Sequence, residues 1–105
     1  MLSVLRPEMA ELGIPSRLDL HALPNPFRDG TTFRLRLPFG GKGFLRLYDV
    51  LGRPVRTLRG TWHPGEIFLS WDGRDEGGRK VASGVYVARL EVGGEVRTTK
   101  VLLVR

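Results

Sequence analysis

Apolar and polar residues alternate with a period of two along most of this chain from Arg17 onward. Successive side chains of a strand point to opposite faces, so this alternation is typical of half-buried β-strands. The clearest example is residues 31–37, where Phe33, Leu35 and Leu37 alternate with polar side chains. The period therefore predicts an all-β fold.

Glycine and proline divide the alternation into seven predicted strands, at about residues 17–22, 31–37, 44–50, 54–58, 66–71, 84–91 and 95–104. The apolar members of each strand are predicted to face inward, among them Leu18, Leu20, Ala22, Leu45, Leu47, Ile67, Leu69, Trp71, Tyr86, Ala88, Leu90, Val101 and Leu103. A proline at the start of the fourth strand, Pro54, favours an edge position.

The connections between these strands carry their own signals. Both prolines of Pro24-Asn25-Pro26-Phe27 favour turn or extended geometry, and Phe27 is expected to anchor that bend in the core. Gly52 is expected to supply the positive φ of a tight turn. We expect a flexible hairpin connection at residues 40–43, an irregular segment at 60–64 and a hairpin turn at 93–94.

Seven short strands without a convincing helix indicate an antiparallel β-sandwich, although a small closed barrel would show the same strand pattern. A chain of 105 residues is sufficient for one domain. We assign that domain to residues 17–105 and treat residues 1–16 as an N-terminal arm or linker. There is no cysteine, which excludes disulfides and thiolate zinc sites.

The charge pattern argues for solvated strand faces rather than for a dedicated anion site. The net charge is +6, and 14 of the 17 basic residues are arginines, scattered singly along the strands. The aromatic residues are better explained as core than as a stacking surface, so no nucleic acid is predicted. Residues 1–105 show neither a membrane helix nor a signal peptide.

The sequence shows no constellation expected of an enzyme, and no cofactor or metal is predicted. His21 is interpreted as an outward strand residue and His63 as a loop residue. Carboxylates cluster only in the loop 72–79, where the spacing does not match an EF-hand and leaves at most a weak calcium site. Asp72 and Asp75 are better interpreted as turn-formers that accept backbone N–H groups.

Five short motifs occur in an order that resembles the Ig-like domain of the flagellar hook-capping protein and the C-terminal sorting domains of the type IX secretion system. They are Pro24-Asn25-Pro26-Phe27, Tyr48-Asp49-Val50-Leu51-Gly52-Arg53, Trp71-Asp72-Gly73-Arg74-Asp75, Gly78-Arg79 and Ser83-Gly84-Val85-Tyr86. The resemblance covers about residues 17–105 and implies a seven-stranded Ig-like sandwich. It also implies that a passenger protein normally precedes the domain, which an outer-membrane secretion machine recognises.

The motifs supply the candidate structural or recognition residues, which are Pro26, Phe27, Tyr48, Asp49, Gly52, Trp71, Asp72, Gly73, Asp75, Gly84 and Tyr86. Tyr86 lies near the start of its strand, where a tyrosine corner would bind upstream backbone.

The first hypothesis for function is a non-catalytic sorting and cell-surface attachment module whose partner is the secretion machinery. Its location would be secreted or cell-surface if a signal lies upstream, and its basic surface could contact the outer membrane. The alternative is a self-assembling structural subunit in which residues 1–16 add as a strand to a neighbouring copy.

Overall fold

The computed structural model describes residues 17–105, which form seven β-strands. They are β1 (Asp19–Leu23), β2 (Thr31–Leu37), β3 (Gly41–Tyr48), β4 (Pro54–Trp62), β5 (Gly65–Trp71), β6 (Gly84–Val92) and β7 (Glu95–Leu103). Within this range no helix is long and apolar enough to cross a membrane.

The strands form two antiparallel sheets, in the orders β1-β2-β5 and β4-β3-β6-β7. This confirms the predicted seven-stranded sandwich, and the two separate sheets exclude the closed-barrel alternative. A constant-type immunoglobulin domain places its fourth strand beside the fifth. Here β4 instead pairs with β3 at the edge of the four-stranded sheet, which agrees with the edge position expected from Pro54.

The core lies between the two sheets and is built from alternate residues of each strand, as the period of two predicts. Phe33, Leu35, Leu45 and Leu47 have no exposed surface. Ile67 and Leu69 also point inward but are only half-buried, because β5 is an edge strand with nothing beside it in the described residues.

The prediction of a hairpin at residues 40–43 was wrong. β2 and β3 belong to different sheets, so the chain crosses the sandwich between them, and β3 already begins at Gly41. A run of glycines in a sequence usually indicates a turn, but Gly43 lies inside β3, directly opposite Gly60 of β4.

The prediction of an irregular segment at residues 60–64 was also wrong, because β4 continues to Trp62. The Trp62 ring packs so closely over the glycine pair that a Cβ atom at Gly60 would collide with its Nε1, and a Cβ atom at Gly43 would lie 2.9 Å from its ring. The glycines therefore make room for the Trp62 ring against the core instead of ending the strand.

Candidate functional site

The candidate residues come together at one end of the sandwich, which we call the loop end. Here β3 and β5 end, β2 and β6 begin, and β7 ends, because antiparallel pairing sets Thr31 opposite Trp71 and Gly84 opposite Leu103. The loop end therefore carries the connections 24–30, 49–53 and 72–83.

Three aromatic rings form the floor of the loop end. Trp71 lies between Phe27 and Tyr86, with ring centroids 5.5 and 5.4 Å away, and all three side chains are buried. The Trp71–Tyr86 pair is edge to face, a geometry favoured by the ring quadrupoles. Phe27 thus anchors its bend in the core as predicted.

The polar atoms of two of these rings hold the loop between β5 and β6. Trp71 Nε1 donates to the carbonyl of Arg74 at 2.9 Å, and Tyr86 Oη donates to the carbonyl of Ala82 at 2.5 Å. The second bond is the tyrosine corner expected from the sequence. Burial, together with the negative charge of Asp49, raises the pKa of Tyr86, so the phenol remains a donor.

The turn from Asp49 to Arg53 is closed by one carboxylate. Asp49 Oδ1 accepts the N–H groups of Leu51 (2.9 Å) and Arg53 (3.0 Å), and Asp49 Oδ2 accepts Arg53 Nε (2.8 Å). The backbone N–H of Gly52 donates to the Asp49 carbonyl, and Gly52 has a φ of +81°. The bond from the Arg53 backbone is the main cause that lowers the pKa of Asp49.

The loop between β5 and β6 repeats this turn. Asp75 Oδ1 accepts the N–H groups of Gly77 and Arg79, both at 2.9 Å, and Asp75 Oδ2 lies 3.4 Å from Arg79 Nε. Gly78 again has a φ of +81° and donates to the Asp75 carbonyl. The Arg79 backbone bond likewise lowers the pKa of Asp75.

The two turns share the pattern Asp-x-x-Gly-Arg, at residues 49–53 and 75–79. We call them the twin turns. Gly52 and Asp75 take the turn-forming roles predicted for them, but the repeat itself was not predicted. Arg53 and Arg79 are largely exposed, at 71% and 85%, so each turn presents a cation that its own aspartate positions.

Asp72 and Gly73 join the aromatic floor to the loop. Asp72 Oδ1 accepts the N–H of Arg74 at 3.1 Å, which is the turn-forming role predicted for it, and lies 3.5 Å from Arg56. Gly73 is buried, has a φ of +71°, and a Cβ atom there would lie 2.9 Å from the Arg105 guanidinium. In residues 17–105, no three histidine or acidic side chains come together to hold a metal ion.

Arg105 binds the 72–83 loop, which was not predicted from the sequence. Its guanidinium donates to the carbonyls of Val81 (2.9 Å) and Gly73 (2.8 Å), and its backbone N–H donates to Ser83 Oγ (3.0 Å). No pattern in the sequence links a residue at this position to a loop more than twenty residues earlier. The arginine therefore adds a third attachment to the 72–83 loop.

Asn25 was missed as well, although it lies in a motif that the sequence singled out. Its side-chain amide donates to the carbonyl of Lys100 and accepts the N–H of Leu102. The backbone of Phe27 then continues along β7, bonding Leu102 and Val104. Pro26 is exposed and lines a surface groove beside this segment.

Two apolar side chains project from the first twin turn. Val50 is 75% exposed and Leu51 is 73% exposed, although the backbone that carries them is fixed by Asp49. Tyr48 is half-buried beside them at the end of β3, and Gly84 begins β6. An apolar pair on a rigid turn is suited to binding another protein, because little conformational entropy is lost on contact.

No family model matches this chain, and no curated protein matches it in sequence. Solved structures do match. PorU from Porphyromonas gingivalis, in a dimeric latent form, is 25% identical with a TM-score of 0.66 over 86% of this chain. PorZ from the same organism, a surface component of the type IX secretion system, is 22% identical with a TM-score of 0.60 over 82% of the chain.

FlgD from P. aeruginosa is also similar, at 25% identity and a TM-score of 0.55 over 71% of this chain. The chain spans 9% of PorU, 11% of PorZ and 60% of this FlgD. The resemblance expected from the five motifs is therefore confirmed: the domain is similar to Ig-like modules of type IX secretion proteins and of the hook-capping protein.

Proposed function

We propose that this domain is a non-catalytic module that directs an attached passenger protein to the type IX secretion machinery and holds it at the cell surface. The observation that carries the proposal is the similarity to PorU, at 25% identity and a TM-score of 0.66 over 86% of the chain. PorU and PorZ are much longer than this chain, so what is transferred from them is the role of one module.

The loop end supports a recognition role rather than chemistry. Four of its polar side chains hold loops: Asp49 and Asp75 accept backbone N–H groups, and the Trp71 and Tyr86 donors bind loop carbonyls. A rigid surface binds with a smaller entropic cost than a mobile one. We assign the contact with the machinery to this end, with Val50 and Leu51 as its apolar anchors.

A fusion experiment tests the proposal. Residues 1–105 are placed at the C-terminus of a reporter that carries a signal peptide, in a bacterium that has a type IX secretion system. We expect the reporter to reach the outer surface, measured by protease accessibility on intact cells. The same fusion in a strain that lacks the secretion machinery should remain in the periplasm.

The reporter without the domain is the matched control. Equal surface exposure with and without the domain, or with and without the machinery, would overturn the proposal. The proposal would also be overturned if the fusion stayed in the periplasm although its domain folds normally, as judged by circular dichroism of the purified fusion.

The alternative of a self-assembling subunit depends on residues 1–16, which lie outside the described residues. It stays a prediction with a simple test. If the arm adds as a strand to a neighbouring copy, deletion of residues 1–16 should abolish oligomers on size exclusion. Oligomers of unchanged size after the deletion would exclude this arrangement.

A further inference from the structure

An exposed sheet edge offers unpaired backbone groups to other chains, and proteins commonly cover such edges. Here the edge of β4 is covered near the loop end. The Glu76 N–H donates to the Val55 carbonyl (3.1 Å), and Glu76 Oε1 accepts the Thr57 N–H (2.7 Å). One residue of the 72–83 loop thus occupies the place of a paired strand.

The edge of β7 is covered in a similar way. The Asn25 side chain bonds the backbone of Lys100 and Leu102, and the Phe27 backbone bonds Leu102 and Val104. β1, an edge strand of the smaller sheet, contacts β7 across the sandwich.

The edge of β5 is different. Trp71 pairs with Thr31 of β2. The carbonyl oxygen of Trp71 would lie 3.1 Å from a Cβ atom added at Gly30, so the Trp71 carbonyl points toward β2. Backbone direction alternates along a strand, and the N–H and C=O groups of Glu66, Phe68 and Ser70 therefore point away from β2. Within residues 17–105 no group covers them.

The side chain of Phe68 marks the middle of this open edge. Phe68 is the central residue of β5 and is 61% exposed on the outer face. A large exposed aromatic on an uncovered edge is the arrangement that the covered edges of β4 and β7 avoid. Edge and ring together indicate a strand-pairing surface.

We propose that β5 pairs with β5 of a second copy of this chain, antiparallel, about a two-fold axis at Phe68. The pairing would join the two three-stranded sheets into one. The inference does not rest on the proposed function, because it concerns the isolated chain.

The sequence of β5 is complementary to itself in this register. Phe68 faces the partner's Phe68, Glu66 faces the partner's Ser70, and Ile67 faces the partner's Leu69. No like charges face each other. The outer face of the joined sheet carries one aromatic pair, and the inner face carries two aliphatic pairs. The inward side chains of Ile67 and Leu69, half-buried in one copy, gain the cover that an edge position denies them.

The contact is expected to be weak and concentration-dependent. One pair of seven-residue strands buries less than the roughly 1,200 Å² of a standard stable interface. Sedimentation equilibrium should show a reversible dimer, and Phe68→Lys, which opposes two like charges at the axis, should weaken it at least tenfold.

Cysteine cross-linking tests the register directly, because the chain has no cysteine of its own. Residues facing each other in a hydrogen-bonded antiparallel pair have Cα atoms about 5.5 Å apart, within disulfide range. Phe68→Cys should therefore form a disulfide-linked dimer under mild oxidation. Neither Glu66→Cys nor Ser70→Cys should form a disulfide alone, because each cysteine would lie about 14 Å from the same cysteine in the second chain.

An equimolar mixture of Glu66→Cys and Ser70→Cys chains should cross-link, since those positions face each other. Arg59→Cys, on the edge of β4, is the matched control and should stay monomeric. Cross-linking of all variants alike, or none by Phe68→Cys in a folded chain, would overturn the proposal. So would loss of the Phe68→Cys cross-link on deletion of residues 1–16, because the contact between the two copies would then depend on the arm.

Discussion

Trp71 and Tyr86 touch edge to face, with ring centroids 5.4 Å apart, and each donates a hydrogen bond to the loop that joins their strands. The indole binds near the start of that loop and the phenol near its end. Two core residues thereby set the conformation of a surface loop. Core packing and the geometry of the loop end are consequently linked.

Replacement of Trp71 should be the most destabilising single change in the core. Trp71→Ala removes a ring that is 1% exposed and leaves a cavity between Phe27 and Tyr86, at a cost of about 3–5 kcal/mol in the free energy of unfolding. Denaturant unfolding followed by circular dichroism measures this. A loss below about 1 kcal/mol would contradict the central position of Trp71.

Removal of the Tyr86 hydroxyl should have a smaller, local effect. Tyr86→Phe keeps the ring contact with Trp71 but leaves the Ala82 carbonyl without its donor, which costs about 1 kcal/mol. Hydrogen exchange should rise in the 72–83 loop and stay unchanged in β3. Unchanged exchange in the loop would show that the tyrosine corner does not hold it.

The twin turns should respond alike to the same substitution. Gly52 and Gly78 both have a φ of +81°, with open space around the missing Cβ. Gly52→Ala and Gly78→Ala should therefore each cost about 1–2 kcal/mol through backbone strain alone. Thermal unfolding of the two variants provides the measurement.

Gly77→Ala is the matched control in the second turn. Gly77 has no left-handed φ, and an added Cβ would meet Asp75 Oδ1 at an ordinary 3.4 Å. Its unfolding should change by less than about 0.5 kcal/mol. A Gly77→Ala loss as large as that of Gly78→Ala would refute the assignment of the strain to φ.

The stability of the twin turns should depend on acid. The folded pKa values of Asp49 and Asp75 are both lowered from 3.8. Their contribution is therefore fully present above about pH 4 and is lost as the pH falls through the folded values. In the double variant Asp49→Asn, Asp75→Asn, the unfolding free energy should change less between about pH 5 and about pH 2 than it does in the wild type. An unchanged profile would contradict the account.

The strand faces could be predicted from the sequence because alternation reports burial directly. Leu45, Leu47, Ala88 and Leu90 were assigned correctly on that basis and are fully buried. The motif residues could be grouped because they resemble a known pattern. Their shared location follows from antiparallel pairing, which no local signal specifies.

What the sequence did not reveal depends on long-range contacts. Gly43 and Gly60 look like turn residues until the Trp62 ring is seen to occupy the space that they leave. Arg105 and Asn25 act through carbonyl and N–H groups far away in the chain. Such contacts carry no periodicity, so only the fold exposes them.

The central claim is that the loop end of this sandwich is the surface that the secretion machinery recognises. The most direct measurement is the surface exposure of the reporter fusion when Val50→Ser and Leu51→Ser are combined. Both side chains are more than 70% exposed, so the unfolding free energy should not change. We expect delivery to fall about tenfold, with Phe68→Ser on the other sheet unaffected. Wild-type delivery by the double variant, with a loss in Phe68→Ser instead, would contradict the claim.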